Sequence, residues 1–216
     1  LGLFLLIIQY NEKIFIYFDT ASYAKQMVQL ASGDILAPLI IQPLGLPILG
    51  LPFFWAGLPP YFSFVLVNFI FFWLLIWSSG EIINSFNVPL ATLITYIIIA
   101  LEPIFSFTIW GGLTDVPFCA ILSLFVLLCT LNTSATNSIL LGAIAAVAAY
   151  LRYPGLFLLV PLFIIQMTRS KSIKQSCMNT AISLMSYIAI LAPMFIRNYL
   201  ATGKPIWSSG WCIEDS

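Results

Sequence analysis

Three carboxylates, Asp19, Glu102 and Asp115, and two guanidiniums, Arg152 and Arg197, stand where apolar stretches of the chain end or are interrupted. Charges in such places are costly and by default mark a working site, although a carboxylate or Arg at a helix end also serves as a solvated anchor or a snorkelling side chain. The sequence contains no histidine. That removes imidazole metal sites, imidazole acid–base catalysis and Ser-His triads together. Any chemistry runs on carboxylates, Arg, Lys, Tyr and backbone groups. Asp19 is the strongest single candidate, because it lies between an apolar stretch and an amphipathic one. It also has a structural reading, as N-cap of a helix starting at Thr20. Asp115, two residues before Pro117, carries the same pair of readings, while Lys13, Lys25 and Lys204 read as solvated charges.

The elements that position these groups must be built for lipid. Apolar residues make up 61% of the chain and charged residues 7%, against roughly one-half and one-quarter in soluble domains. Eight Lys and Arg balance eight Asp and Glu, so no basic surface exists for nucleic acid. Cys119, Cys129, Cys177 and Cys212 form no close pair and suggest neither a zinc site nor a disulfide framework.

The fold class expected is all-α, a polytopic transmembrane helical bundle with amphipathic surface helices in the first external loop. Residues 1–10 read as a truncated first helix of a longer chain, and 11–60 as an external loop. Within that loop Tyr23, Met27 and Leu30 recur at helical spacing, and Ser32-Gly33 closes the segment. Residues 42–55 are apolar but interrupted by Pro43, Pro47 and Pro52, which favours a shallow or re-entrant element over a clean span.

Residues 61–196 are expected to form about six spanning helices: 61–77, 88–101, 117–131, 139–151, 156–167 and 179–196. Ser78–Asn87 reads as a turn, Ser106–Thr114 as a loop, Arg152–Gly155 as a tight turn, and 197–216 as the start of another external loop. The one dense basic loop, Thr168–Lys174, belongs in the cytoplasm by the positive-inside rule. Alternation then places Asp19, Glu102, Asp115, Arg152 and Arg197 on the external face. The Asn132-Thr133-Ser134 sequon falls on the cytoplasmic side and reads as a chance match.

The order Asp19-x-x-x-Tyr23, Ala31-Ser32-Gly33 and Pro43-Leu44-Gly45-Leu46-Pro47 resembles the first external loop of C-type (GT-C) membrane glycosyltransferases, including protein O-mannosyltransferases and bacterial lipid A aminoarabinose transferases. Further on, Thr114-Asp115-Val116-Pro117-Phe118 is similar to their second acidic position. Leu151-Arg152-Tyr153-Pro154-Gly155-Leu156 is similar to their Arg-Pro turn, and Ala192-Pro193-Met194-Phe195-Ile196-Arg197-Asn198-Tyr199 with Gly203 to their Pro-Trp-x-x-Arg-Asn run. Thr20 stands where an acidic residue commonly follows the first Asp, and Met194 where Trp is usual.

The resemblance implies an enzyme of a prokaryotic plasma membrane, working on the external face. Its donor would be a polyprenyl-phosphate sugar and its acceptor a lipid, glycan or protein. Asp19 and Asp115 would be catalytic, with Tyr23, Glu102, Arg152, Arg197 and Asn198 binding substrate. Asp19 would take a proton from the acceptor hydroxyl, and the arginines would hold the phosphate. Asp115 would orient the acceptor or, with Asp19, hold a divalent metal ion. A transporter or flippase of a lipid-linked or small solute is the other class that embedded charges and Pro-broken helices fit.

Overall fold

The computed structural model describes residues 18–36, 42–132, 134–170 and 172–203, and among these every regular element is helical. Expectations placed on 1–17 and 204–216, among them the first helix, Lys13, Lys204, Cys212 and the start of the last loop, lie outside the described residues. So does the centre of the sequon, Thr133.

The helices are α1 (Phe18–Ala31), α2 (Gly45–Trp55), α3 (Pro60–Asn84), α4 (Pro89–Leu101) and α5 (Pro103–Gly111). They continue with α6 (Asp115–Thr130), α7 (Ala135–Leu151), a 3₁₀ turn (Tyr153–Leu158), α8 (Leu159–Arg169) and α9 (Ile173–Thr202). The chain divides into two compact units. One is drawn from the described residues of Leu1–Gly33 with Leu46–Ala120, the other from those of Asp34–Gly45 with Ile121–Ser216.

Prolines at the first turn start α3, α4 and α5, where the missing N–H has no intrahelical partner to lose. At 25 residues α3 is about 37 Å long, more than the roughly 30 Å of a hydrocarbon core. Its polar side chains satisfy themselves against the preceding turn: Asn68 donates to the Phe64 carbonyl at 3.0 Å and Ser78 to that of Leu74 at 2.8 Å. A helix set in lipid carries such residues because the bonding stays internal. The expected turn at Ser78–Asn87 is therefore helical as far as Asn84, and the reversal is confined to Ser85–Val88, where Asn87 adopts φ 59°.

The helices α3 and α9 are each long and apolar enough to cross a membrane, and α4 with α5 makes a third span if the pair, bent by 48°, is counted as one. The three remaining expected spans are helical, but as α6, α7 and the Tyr153–Arg169 segment they are shorter. The expected loop at Ser106–Thr114 is largely helix α5. Glu102 and Pro103 supply its cap and first residue, and Gly112 closes it in the left-handed conformation at φ 62°.

In the first unit α1 is the expected amphipathic helix. Tyr23 and Met27 are buried, with Leu46, Phe64 and Val67, while Lys25 and Val28 face outward. Tyr23 meets the Phe64 ring edge-on at 6.4 Å. In the second unit α7 packs on α9 through small residues. Gly142, Ala145, Ala146 and Ala149 are buried, and a methyl group on Gly142 would collide with the Ser183 carbonyl. Small residues that let two backbones approach are the means by which helices associate in lipid.

Candidate functional site

In the first unit the carboxylates at the two acidic positions are drawn to one end. Thr20, 1% exposed on the first turn of α1, donates its hydroxyl to the carbonyl of Gly111 at the end of α5. Gly112 packs on the Thr20 methyl, where an added Cβ would come within 3.1 Å. Tyr61, at the start of α3, donates to the neighbouring Trp110 carbonyl. Asp19 precedes Thr20 and is exposed, and Asp115, half-buried, opens α6 four positions after Gly111. Both carboxylates lie in the first turn of their helices, where the backbone N–H groups and the dipole favour negative charge. Tyr23 takes a packing position beneath this end rather than an open one.

Glu102 is not brought to that end. Its carboxylate accepts from the Ile104 N–H at 3.4 Å and caps α5. Helices α4 and α5 together run antiparallel to α3: Trp110 meets Tyr61, Phe105 meets Phe72 at 5.8 Å between ring centroids, and the Tyr96 ring fills the space over Gly80. Phe72 is the middle residue of α3, so Glu102, one turn from Phe105, lies about halfway along the pair.

In the second unit the arginines occupy one end and the basic turn the other. Arg152 ends α7 in extended conformation, its N–H donating to the Ala148 carbonyl at 2.9 Å, with its side chain exposed. Gly155 lies against the Ala148–Ala149 backbone, which leaves no room for a side chain and folds the 3₁₀ turn back onto α7. Arg197, in the last turns of α9, donates through Nε to the Ile35 carbonyl at 2.7 Å and through Nη1 to Asn198 Oδ1 at 3.4 Å. Asn198 is buried, and Tyr153 and Asp34 are the ionisable groups that act on Arg197. Tyr153 follows Arg152 directly, so the two arginines share this end. At the opposite end Arg169 donates through Nη2 to the Thr130 carbonyl at 3.2 Å, and Ser172 caps α9.

Among the described residues no group of three or more His, Cys, Asp and Glu side chains is placed to hold a metal. A divalent ion at Asp19 and Asp115 would complete its shell from backbone carbonyls, water or the oxygens of a bound phosphate.

A buried polar cluster that sequence reading does not single out lies between α7, α8 and α9. Gln166 Nε2 donates to Ser138 Oγ at 3.2 Å and to Ser183 Oγ at 3.0 Å, and Ser183 donates to the Ser138 carbonyl at 2.8 Å. Ser176 donates to the Gln166 carbonyl at 3.0 Å. The signal was a glutamine and serines inside apolar segments, which in lipid act as glue between helices. No family model, curated protein or solved structure matches the chain.

Proposed function

We infer that the chain is a membrane glycosyltransferase of the GT-C type, moving a sugar from a polyprenyl-phosphate donor to an acceptor hydroxyl. The observation that carries this reading is the Thr20–Gly111 bond, which brings to one end of the first unit the two acidic positions the resemblance singles out. The placing of Arg197 and the Arg152–Tyr153 turn at one end of the second unit supports it. The full reading includes about six crossings, a prokaryotic plasma membrane and chemistry on the external face.

In this mechanism the acceptor oxygen attacks the anomeric carbon of the donor while the bond from that carbon to the phosphate oxygen breaks. The acceptor proton passes to the Asp19 carboxylate, help typically worth about 10²–10⁴-fold. The leaving group departs as a phosphate anion that needs no strong acid, only cations. Arg197 and Arg152 are permanently charged forks shaped for such oxygens. Asp115 orients the acceptor or, with Asp19, would hold a divalent ion, which would supply positive charge to the leaving phosphate.

The transporter or flippase reading is favoured by one observation, the 48° break between α4 and α5, since broken helices line many solute pathways. Full-length protein in liposomes with labelled polyprenyl-phosphate sugars separates the two. Transfer of label to an acceptor, abolished by Asp19→Asn with insertion intact, is the result expected. Movement of intact donor across the bilayer without transfer would establish the transporter instead.

A further inference from the structure

Residues Asp34–Gly45 follow α1 but belong to the second unit, and both described ends of the segment are fastened to its arginine end. The Ile35 carbonyl accepts from Arg197 Nε at 2.7 Å. Gly45 lies against the Tyr150–Leu151 backbone, just before Arg152, where a side chain would have no room, and Leu44 beside it is buried. Asp34 is therefore kept near Arg197 by the backbone of its neighbour, and its exposed carboxylate acts on the guanidinium. Among the described residues it is the one carboxylate of the second unit.

Sugar transfer changes the charge that this end must hold. A polyprenyl-phosphate sugar is a phosphodiester with one negative charge, and breaking its bond to the anomeric carbon leaves a phosphate monoester, whose second pKa is about 6. At neutral pH the product is mostly a dianion. Coulomb energy scales with the product of the charges, so guanidiniums alone would attract the product about twice as strongly, in free energy, as the donor. Such a site fills with its own product, and product release limits many enzymes. A fixed carboxylate beside the guanidinium repels the dianion about twice as strongly as the monoanion, and so evens the two.

We propose that Asp34 is a specificity residue of the phosphate site, whose charge fits the arginine end to a phosphodiester monoanion and lets it release the phosphate monoester dianion. The inference rests on the reading of the chain as a transferase with a polyprenyl-phosphate donor. Asp34 does not take the acceptor proton. Nor does it hold Arg197 in place, since the Ile35 carbonyl does so with a backbone atom that no substitution at position 34 removes. The carboxylate is exposed, so its effect passes through water and is modest and screened by salt.

The test measures binding of polyprenyl phosphate and of a polyprenyl-phosphate sugar to the full-length protein in nanodiscs of neutral lipid, at about pH 8, where the monoester is a dianion. Asp34→Asn is expected to bind the diester about two- to threefold more tightly and the monoester about four- to ninefold more tightly, the second factor being the square of the first. Asp34→Ser, which also removes the charge, should behave alike, Asp34→Glu should keep the native ratio, and raised salt should shrink the difference. A single turnover with enzyme in excess over donor should be as fast in Asp34→Asn as in the native protein, while steady-state transfer slows as product accumulates. Equal tightening of the two lipids, or none, would overturn the proposal and leave sugar transfer standing wherever the native protein still transfers. A slower single turnover would overturn it too, by making Asp34 part of the chemistry. Native protein that binds neither lipid would overturn both the proposal and the transferase reading.

Discussion

The hydroxyl of Thr20 donates to the carbonyl of Gly111, 91 positions further along the chain. It ties α1 to the end of α5, and so sets Asp19 beside the segment that leads into Asp115.

Thr20→Val keeps the shape of the side chain and removes the donor, withdrawing a hydrogen bond from a buried carbonyl at a cost of about 1–3 kcal/mol. The variant is expected to melt earlier in detergent and to transfer sugar more slowly, whereas Thr20→Ser, which keeps the donor and loses only the methyl against Gly112, should keep most of the transfer rate and lose about 1 kcal/mol of stability or less. Melting of Thr20→Val at the native temperature would show that the bond contributes nothing to holding the two segments together.

Much of this first unit is legible in the sequence. The Tyr23–Met27–Leu30 spacing marks the buried side of α1, and Pro59-Pro60 before a Phe-rich run marks the start of α3. The extent of α3 is harder to see, because Ser78, Ser79 and Gly80 look like a turn. The Ser78 hydroxyl bonds back to the preceding turn, and Gly80 makes room for Tyr96. Glu102-Pro103 has the look of a span's end, yet a carboxylate followed by proline is equally a helix start. What decides is that the nine residues from Pro103 to Gly111 have α3 to pack against, through Phe72 and Tyr61. Local sequence does not carry that information.

Close approach of α7 and α9 rests on the absence of a side chain at Gly142. Gly142→Ala has a higher intrinsic helix propensity, worth about 1 kcal/mol in its favour. The methyl group nevertheless meets the Ser183 carbonyl and must push the helices apart, and overpacking of this kind costs about 1–3 kcal/mol. The separation also stretches the Ser183 to Ser138 bond. A lower melting temperature in detergent is therefore expected, and an unchanged or raised one would mean that the helices separate freely.

Sidedness is testable within the second unit. Cys177 is exposed in the second turn of α9, beside the basic turn, and Ile35 is exposed at the arginine end, its carbonyl bonded to Arg197. In variants keeping one cysteine at a time, an impermeant maleimide on intact cells should label Ile35→Cys and spare Cys177 until the membrane is opened. Labelling of Cys177 alone would invert the orientation, place the arginines in the cytoplasm and remove the external-face mechanism.

Arg197 separates recognition of a phosphate from mere anchoring. Its Nε is engaged by the Ile35 carbonyl and its Nη1 lies near Asn198, so the guanidinium plane is fixed by the loop on one side and its own helix on the other. An anchor at a helix end needs only a positive charge on a long stem, and lysine supplies both. A fixed plane of donors is different, because the single ammonium of lysine cannot hold the carbonyl and present a fork to phosphate oxygens at once. Arg197→Lys is therefore expected to insert and to melt near the native temperature, yet to lose donor turnover by about tenfold or more, equivalent to about 1.4 kcal/mol of transition-state stabilisation. Arg197→Ala should lose turnover further and melt earlier, since the Ile35 carbonyl then loses its partner. If Arg197→Lys turns over donor at the native rate while Arg197→Ala fails only to insert, Arg197 is a topological anchor. The phosphate site would then be sought at Arg152 or outside the described residues.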